Sequence, residues 1–316
     1  MEKQDGNIKL ISLVIPCFNE EKNVELLLNE LQASLPQKYQ YEIIFVDDGS
    51  YDNTLNELRR LKQEHPSLKY ISFSKNFGHQ NAIKAGLDKS NGDAVVMMDG
   101  DLQHPPHVIP KLLEKWEEGY EIVYTQRRDD QKIGFVKKIT ARYFYKFMNY
   151  FSNLQIEENT ADFRLLDRKV ATIASNLQEQ DLFWRGLIFW MGFKKAKITY
   201  QAKERKYGKT KYPFTKMLGF AINGITSFST KPLRYAIFLG IFMSFLAALY
   251  ALYALTLFIF TDRSIAGWTS TVLSITFIGG IQLIILGVIG EYLGKLFMQS
   301  KNRPHYIVKE TETDIV

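Results

Sequence analysis

The sequence predicts an α/β domain on a mainly parallel, Rossmann-like sheet, followed by interfacial helices and two transmembrane helices. Short β-rich apolar runs alternate with helix-period segments through the first 126 residues. Two uncharged runs of 27 residues, Tyr235–Thr261 and Ser264–Gly290, lie near the C-terminus. Charge is also segregated. Residues 1–119 hold 13 basic and 19 acidic side chains, whereas residues 120–234 hold 22 basic and 10 acidic.

The strand-like runs are LISLVIP at 10–16, EIIFV at 42–46, LKYISF at 68–73 and AVVMM at 94–98, with EIVYTQ at 121–126 as a further strand. Between them NVELLLNELQASL and TLNELRRLKQEH carry apolar residues at helical spacing. Strands separated by helices imply βαβ crossovers and a parallel sheet, whose ligands bind beyond the carboxyl ends of the strands.

Each uncharged run exceeds the roughly 20 helical residues that cross a bilayer core of about 30 Å, and buried helices of soluble cores rarely run so long without a charge. Asp262 and Arg263 alone separate them, so they form a hairpin with both outer ends on one side of the membrane. Lys216, Lys231 and Arg234 precede the first span, and Lys295, Lys301 and Arg303 follow the second. The positive-inside rule places the N-terminal domain and both termini in the cytoplasm, with the chain multi-pass in the cell membrane. The expected organisation is a catalytic domain at 1–212, an interfacial amphipathic segment at 213–234, the hairpin at 235–293 and a tail at 294–316. FVKKITARYFYKFMNYF, 135–151, reads as an amphipathic helix near the headgroups rather than a nucleic-acid surface.

Composition excludes other classes. With 46% hydrophobic residues and one cysteine in 316, the chain is neither disordered nor a disulfide scaffold. The N-terminus MEKQDGNIKL has no signal-peptide apolar stretch, and Cys17 reads as a small buried residue.

Three strand ends are polar: Pro16-Cys17-Phe18-Asn19-Glu20, Asp47-Asp48-Gly49-Ser50 and Asp99-Gly100-Asp101-Leu102-Gln103. Each alone could be a turn or a helix cap. Converged by a sheet, they suit a hard divalent cation and a polar ligand, with Asp99 and Asp101 as oxygen donors. The chain has no Gly-x-x-x-x-Gly-Lys-Ser/Thr, and no Gly-x-Gly-x-x-Gly follows the first strand, so neither P-loop nor dinucleotide binding is indicated. His104 and His107 lie in QHPPH, which reads as a turn rather than a zinc pair.

The ordered set VIPCFNE, FVDDGS, FSKNFGHQNAIKAG, MDGDLQHPP, ADFRLLDR and RKYGKTKYP, followed by the paired apolar runs, resembles the inverting family 2 glycosyltransferases of GT-A fold, in their polyprenyl-phosphate branch. That resemblance covers nearly the whole chain. It implies that Pro16, Phe18, Glu20 and Asp48 frame the base and ribose of a nucleoside diphosphate sugar. Asp99, Asp101 and Gln103 would hold Mg²⁺ or Mn²⁺ on its diphosphate, with Lys75, Asn76 and Gly86 near the donor. Asp162 and Arg164 would lie with Asp101 at the reacting centre. Arg205 and Lys211 would bind the phosphate of the acceptor, polyprenyl (undecaprenyl) phosphate, and Thr210 stands where the family often has Ser.

The implied reaction is inverting hexose transfer, with glucose from UDP-glucose favoured and mannose from GDP-mannose open. A processive synthase would carry Gln-x-x-Arg-Trp, whereas the nearest string here is Gln180-Asp181-Leu182-Phe183-Trp184-Arg185, in the wrong order. A non-catalytic membrane scaffold would not require the Asp99, Asp101 and Gln103 set together with ADFR. A homo-oligomer is compatible with either membrane reading.

Overall fold

The structure is a computed structural model that describes residues 8–128, 149–151, 157, 159–201, 224–260 and 267–312. Most of the expected 135–151 helix, the Arg205, Thr210 and Lys211 loop, residues 213–223 and the Asp262-Arg263 connection lie outside the described residues. Backbone contacts divide the chain into two units. One joins Met1–Asn149, Leu154–Met217 and Arg303–Val316; the other joins Tyr150–Asn153 and Leu218–Asn302.

The first unit is an eight-stranded sheet in the order β7-β5-β6-β4-β1-β2-β3-β8. Strands β1 (Leu10–Cys17), β2 (Gln40–Asp47), β3 (Leu68–Phe73) and β4 (Ala94–Met97) occupy the four expected apolar runs and pair in parallel. Strand β5 (Ile122–Arg128) pairs in parallel with β7 (Lys195–Gln201). Strand β6 (Thr160–Asp167) is antiparallel to both β4 and β5.

Helix α1 (Val24–Ser34) buries Val24, Leu27, Leu28 and Leu31, the i, i+3, i+4, i+7 stripe of an amphipathic helix. Each such leucine contributes on the order of 1.5–3 kcal/mol by leaving water. Helix α2 (Thr54–Glu64) buries Leu58 and Leu61. Helix α3 (His79–Lys89) lies on β1 so closely that a Cβ on Gly86 would fall 2.1 Å from Val14 Cγ1. Gly86 is therefore a packing residue of the α3–β1 contact. Helices α4 (Ile109–Glu117), α5 (Arg168–Ser175) and α6 (Trp184–Trp190) complete this unit.

The C-terminal residues, which carry no readable motif, return to the sheet. Strand β8 (Val308–Thr311) pairs antiparallel with β3. Both Arg59 and the Tyr70 hydroxyl donate to the Glu310 carboxylate. Tyr306 stacks on Phe73 at 5.0 Å, and its hydroxyl donates to Asp88 at 2.9 Å. The added strand caps an edge whose backbone groups would otherwise be open to foreign pairing.

The second unit holds two long helices, α7 (Lys231–Phe260) and α8 (Trp268–Ser300). Within them Lys231–Tyr253 and Leu273–Ser300 are long and apolar enough to cross a membrane. Their apolar side chains face outward: Phe238 is 65% exposed and Leu283 71%.

Replacing Tyr306 with Ala removes the stack on Phe73 and a hydrogen bond, and should cost about 1–3 kcal/mol. The expected outcome is faster trypsin cleavage at Lys309 in the variant than in the wild type. Equal cleavage rates would show that the stack does not hold β8.

Candidate active site

Strand order places β2 and β3 to one side of β1 and β4 to the other. This reversal opens a crevice beyond the carboxyl ends of β1 and β4, where a parallel sheet binds its ligands. The polar strand ends predicted from the sequence line it.

On the β1–β2 side, the two aspartates after β2 hold backbone. Asp47 accepts from Ser50 N at 3.0 Å and Ser72 Oγ at 2.8 Å. Asp48 accepts from Phe77 N at 2.6 Å and Gly78 N at 3.0 Å, fixing the entry to α3. Burial raises the Asp48 pKa, an effect opposed by those two N–H donors. Gly49, at φ 68°, meets the Lys75 backbone so closely that a Cβ would lie 2.3 Å from its carbonyl carbon. Lys75 and Asn76 thus pass directly over the Asp-Asp-Gly-Ser turn, with the Lys75 ammonium 5.1 Å from the centre of the Phe77 ring.

Phe18 is partly exposed and makes an edge contact with Tyr51, ring centres 5.8 Å apart. Asn19 ties the two loops together: its N–H donates to Ser50 Oγ, and its side-chain oxygen accepts from Tyr51 N. Glu20 accepts from the Asn23 side chain at 2.5 Å. The result is an exposed aromatic corner beside carboxylates, the chemistry that packs a planar base and accepts from its N–H and hydroxyl groups.

At the exit of β4, Asp99 Oδ1 lies 2.7 Å from His79 Nε2 and its Oδ2 3.6 Å from His104 Nε2. The Asp99 N–H donates to His104 Nδ1 at 2.9 Å, which leaves the proton of a neutral imidazole on Nε2, facing the carboxylate. His104 is buried and stacked on Phe163 at 5.2 Å. Burial alone would favour the neutral acid at Asp99, but the two histidines outweigh it and set its pKa at about 2. Burial lowers the His79 pKa, yet the Asp99 hydrogen bond and charge, helped by Asp162, carry it up to about 9.

Two residues on, Asp101 Oδ1 accepts from Gln103 N at 3.1 Å. The intervening Leu102 sits at φ 63°, unusual for a branched residue, and its side chain is buried in the core. Core packing thus holds the turn that presents Asp101 and Gln103. Among the described residues no group of three or more His, Cys, Asp or Glu is placed to hold a metal ion. The donor set nonetheless fits a hard divalent cation: an ionised Asp99, a second carboxylate and an amide oxygen on one turn.

Strand β6 brings in the other half of the site. Because it runs antiparallel to β4, with Arg164 opposite Met97, its first residues lie beside the exit of β4. Asp162 is buried and accepts from Arg164 at 2.5 Å and from Arg185, in the first turn of α6, at 2.8 Å and 3.1 Å. Burial opposes its charge, but the Arg185 and Arg164 guanidiniums hold it well below the ordinary carboxylate range. Arg164 is fully buried, donating also to Ala161 O at 2.9 Å and Trp184 O at 3.4 Å. Burial lowers its pKa to about 10, so it remains charged at neutral pH. Trp184 donates from its indole and backbone nitrogens to Gln80, next to His79.

Three groups of predicted residues are therefore placed: Pro16, Phe18, Glu20 and Asp48 with Lys75 and Asn76; Asp99, Asp101 and Gln103; and Asp162 with Arg164. Arg205 and Lys211 lie outside the described residues. Sequence reading missed His79, His104 and Arg185. Arg185 had a signal, a lone charge inside the apolar WRGLIFW, and only the fold shows that this charge meets Asp162.

Comparison with known proteins gives the same direction. The family described as Glycosyl transferase family 2 matches residues 12–172. The "Uncharacterized glycosyltransferase YkcC" of Bacillus subtilis is 44% identical over 301 residues, 95% of this chain and 93% of that one. The bactoprenol glucosyl transferase of Shigella phage SfV is 41% identical over 302 residues, 95% of this chain and 98% of that one. Among solved structures, mannosyl-3-phosphoglycerate synthase from Rubrobacter xylanophilus aligns over 72% of this chain and 74% of that one, with a TM-score of 0.48 and 17% identity.

The Asp162 pairing sets a pH dependence. A carboxylate whose pKa falls on folding adds stability above its unfolded value, near 4, and loses that stability as pH falls toward the folded value. Arg185→Met leaves Asp162 with Arg164 alone, and should cost about 1–3 kcal/mol at neutral pH because Arg185 is partly exposed. In thermal unfolding of the detergent-solubilised chain, the gap between wild type and variant should hold down to the folded pKa that Asp162 keeps beside Arg164 alone, and narrow below it. A variant as stable as the wild type at neutral pH would contradict the pairing.

Proposed function

The chain belongs to glycosyl transferase family 2, and we propose that it transfers glucose from UDP-glucose to polyprenyl phosphate with inversion at the anomeric carbon. The observation that carries this reading is the length of the likeness. Bactoprenol glucosyl transferases match about 95% of the chain at about 40% identity, so the likeness takes in both apolar helices as well as the sheet.

In this reading the uracil ring packs in the corner of Pro16 and Phe18, where Tyr51 also stands, with Glu20 and Asp48 accepting from base or ribose. Lys75 and Asn76 lie along the donor. Asp99, Asp101 and Gln103 would hold Mg²⁺ or Mn²⁺, which when bound neutralises charge on the departing diphosphate. The acceptor phosphate meets Arg205 and Lys211. A phosphate monoester has a second pKa of about 6, so near pH 7 it is already mostly dianionic and needs no strong base. Asp162, ionised and engaged by two guanidiniums, is accordingly a positioning residue. It holds the partly exposed Arg185 where a cation can draw two anionic substrates together.

The membrane placement follows from α7 and α8. Helices apolar on every side and uncovered by protein lose least by sitting in lipid. Lys231 and Arg234 at the start of α7 and Lys295 and Lys301 at the end of α8 support, by the positive-inside rule, a reading with the sheet domain and both termini in the cytoplasm.

Purified full-length protein given labelled UDP-glucose and undecaprenyl phosphate should yield one organic-soluble labelled monosaccharide lipid. EDTA should stop the reaction, and Asp101→Asn should lower it at least about a hundredfold at any Mg²⁺ or Mn²⁺ concentration. Transfer only from GDP-mannose would reassign the donor. Label in a water-insoluble polymer would replace the reading with a processive synthase.

A further inference from the structure

The membrane unit contains a cavity of its own, lined by hydroxyls, aromatic rings and two cations. The helical turn at 224–228 leads through Ser229 and Thr230 into α7, and α8 passes beside that junction. Two α8 side chains one turn apart fasten it: the Tyr292 hydroxyl donates to Ser229 O at 2.6 Å, and Lys295 Nζ donates to Ser227 Oγ at 3.1 Å. At this junction lies a cavity of about 400 Å³, lined by Ser227, Ser229, Thr230, Lys231, Arg234 and Tyr292 among others, none of them a carboxylate.

The charged side chains of its lining, Lys231 and Arg234, are both basic. Lys231 Nζ donates to the backbone oxygen of Tyr150 and lies 4.6 Å from the centre of that ring, so its named partners are neutral. Neither Lys231 nor Arg234 pairs with a carboxylate among the described residues. Two cations with several hydroxyls around an open volume are the donors a phosphate group takes, Arg offering two parallel N–H groups. The cavity lies at the charged ends of two helices whose remaining surface is apolar, so an acyl or prenyl chain esterified to that phosphate would run along uncovered hydrocarbon.

We propose that this cavity binds the phosphate group of a membrane lipid. The site rests on the membrane placement of α7 and α8 proposed above, and not on the identity of the sugar or the acceptor. It would tie the junction before α7 to the headgroup layer.

The test is native mass spectrometry of the full chain in detergent, titrated in turn with undecaprenyl phosphate, phosphatidylglycerol and inorganic phosphate. The wild type should retain a lipid molecule that Arg234→Gln binds at least about tenfold more weakly, a loss of roughly 1.4 kcal/mol. Arg234→Lys, which keeps the charge, should retain most of the binding. Loss of one bound molecule rather than of all of them in Arg234→Gln separates this site from lipid binding elsewhere on the chain. A preference for undecaprenyl phosphate assigns the site to a monoester lipid, and a preference for phosphatidylglycerol assigns it to a diester lipid; both support it. Equal retention by wild type and Arg234→Gln, or binding of inorganic phosphate alone, overturns it. Resistance of the chain to alkaline carbonate extraction from membranes tells a failed membrane placement from a failed site.

Discussion

A buried carboxylate must be paired, and in this fold the pairing of Asp162 organises the site. Its partner Arg164 is fully buried and also donates to Trp184 O, which fixes the start of α6. Trp184 in turn donates to Gln80 at the start of α3. The neighbouring His79 reaches Asp99, and Asp99 is braced from its other side by His104. A continuous polar chain thus runs from the first residues of β6 to the exit of β4. Removing a member would leave a buried charge unmatched, which costs more than the hydrogen bond itself.

This network also divides labour among the carboxylates. Asp47 and Asp48 are occupied with backbone N–H groups and shape the loops around the Phe18 and Tyr51 corner. Asp99 and Asp101 are the pair presented at the end of β4, one ionised by its histidine neighbours and the other held on a turn anchored by Leu102. Asp162 serves Arg185. Residue types that look equivalent in the sequence acquire different chemistry from what each is bonded to.

The parallel centre of the sheet was legible because β1 to β4 are runs of β-branched and aliphatic residues buried on both faces, and the carboxylates after them stood where such sheets bind ligands. The edges were less legible. Strand β8 reads VKET, a polar edge with no apolar signature, and is held by Tyr306 and Glu310 through partners more than 200 positions away. Arg185 stood in the sequence as a lone charge in an apolar run, and its meaning depends on β6 turning antiparallel beside β4. His79 and His104 are single histidines whose common target, Asp99, lies 20 and 5 positions away and is brought to them by the crossover and by a tight turn. Periodicity reports burial along one element; it carries no information about which charge another element delivers.

The central claim is that Asp162 and Arg185 act as one unit in transfer and not in donor binding. A double-mutant cycle with Asp162→Asn and Arg185→Gln, reading kcat and the Kd for UDP-glucose in the full-length chain, tests it most directly. Each single substitution should lower kcat by about a hundredfold, the double should be no worse than the poorer single, and Kd should stay within about threefold throughout. Multiplicative losses in kcat, or loss of UDP-glucose affinity in either single variant, would contradict it.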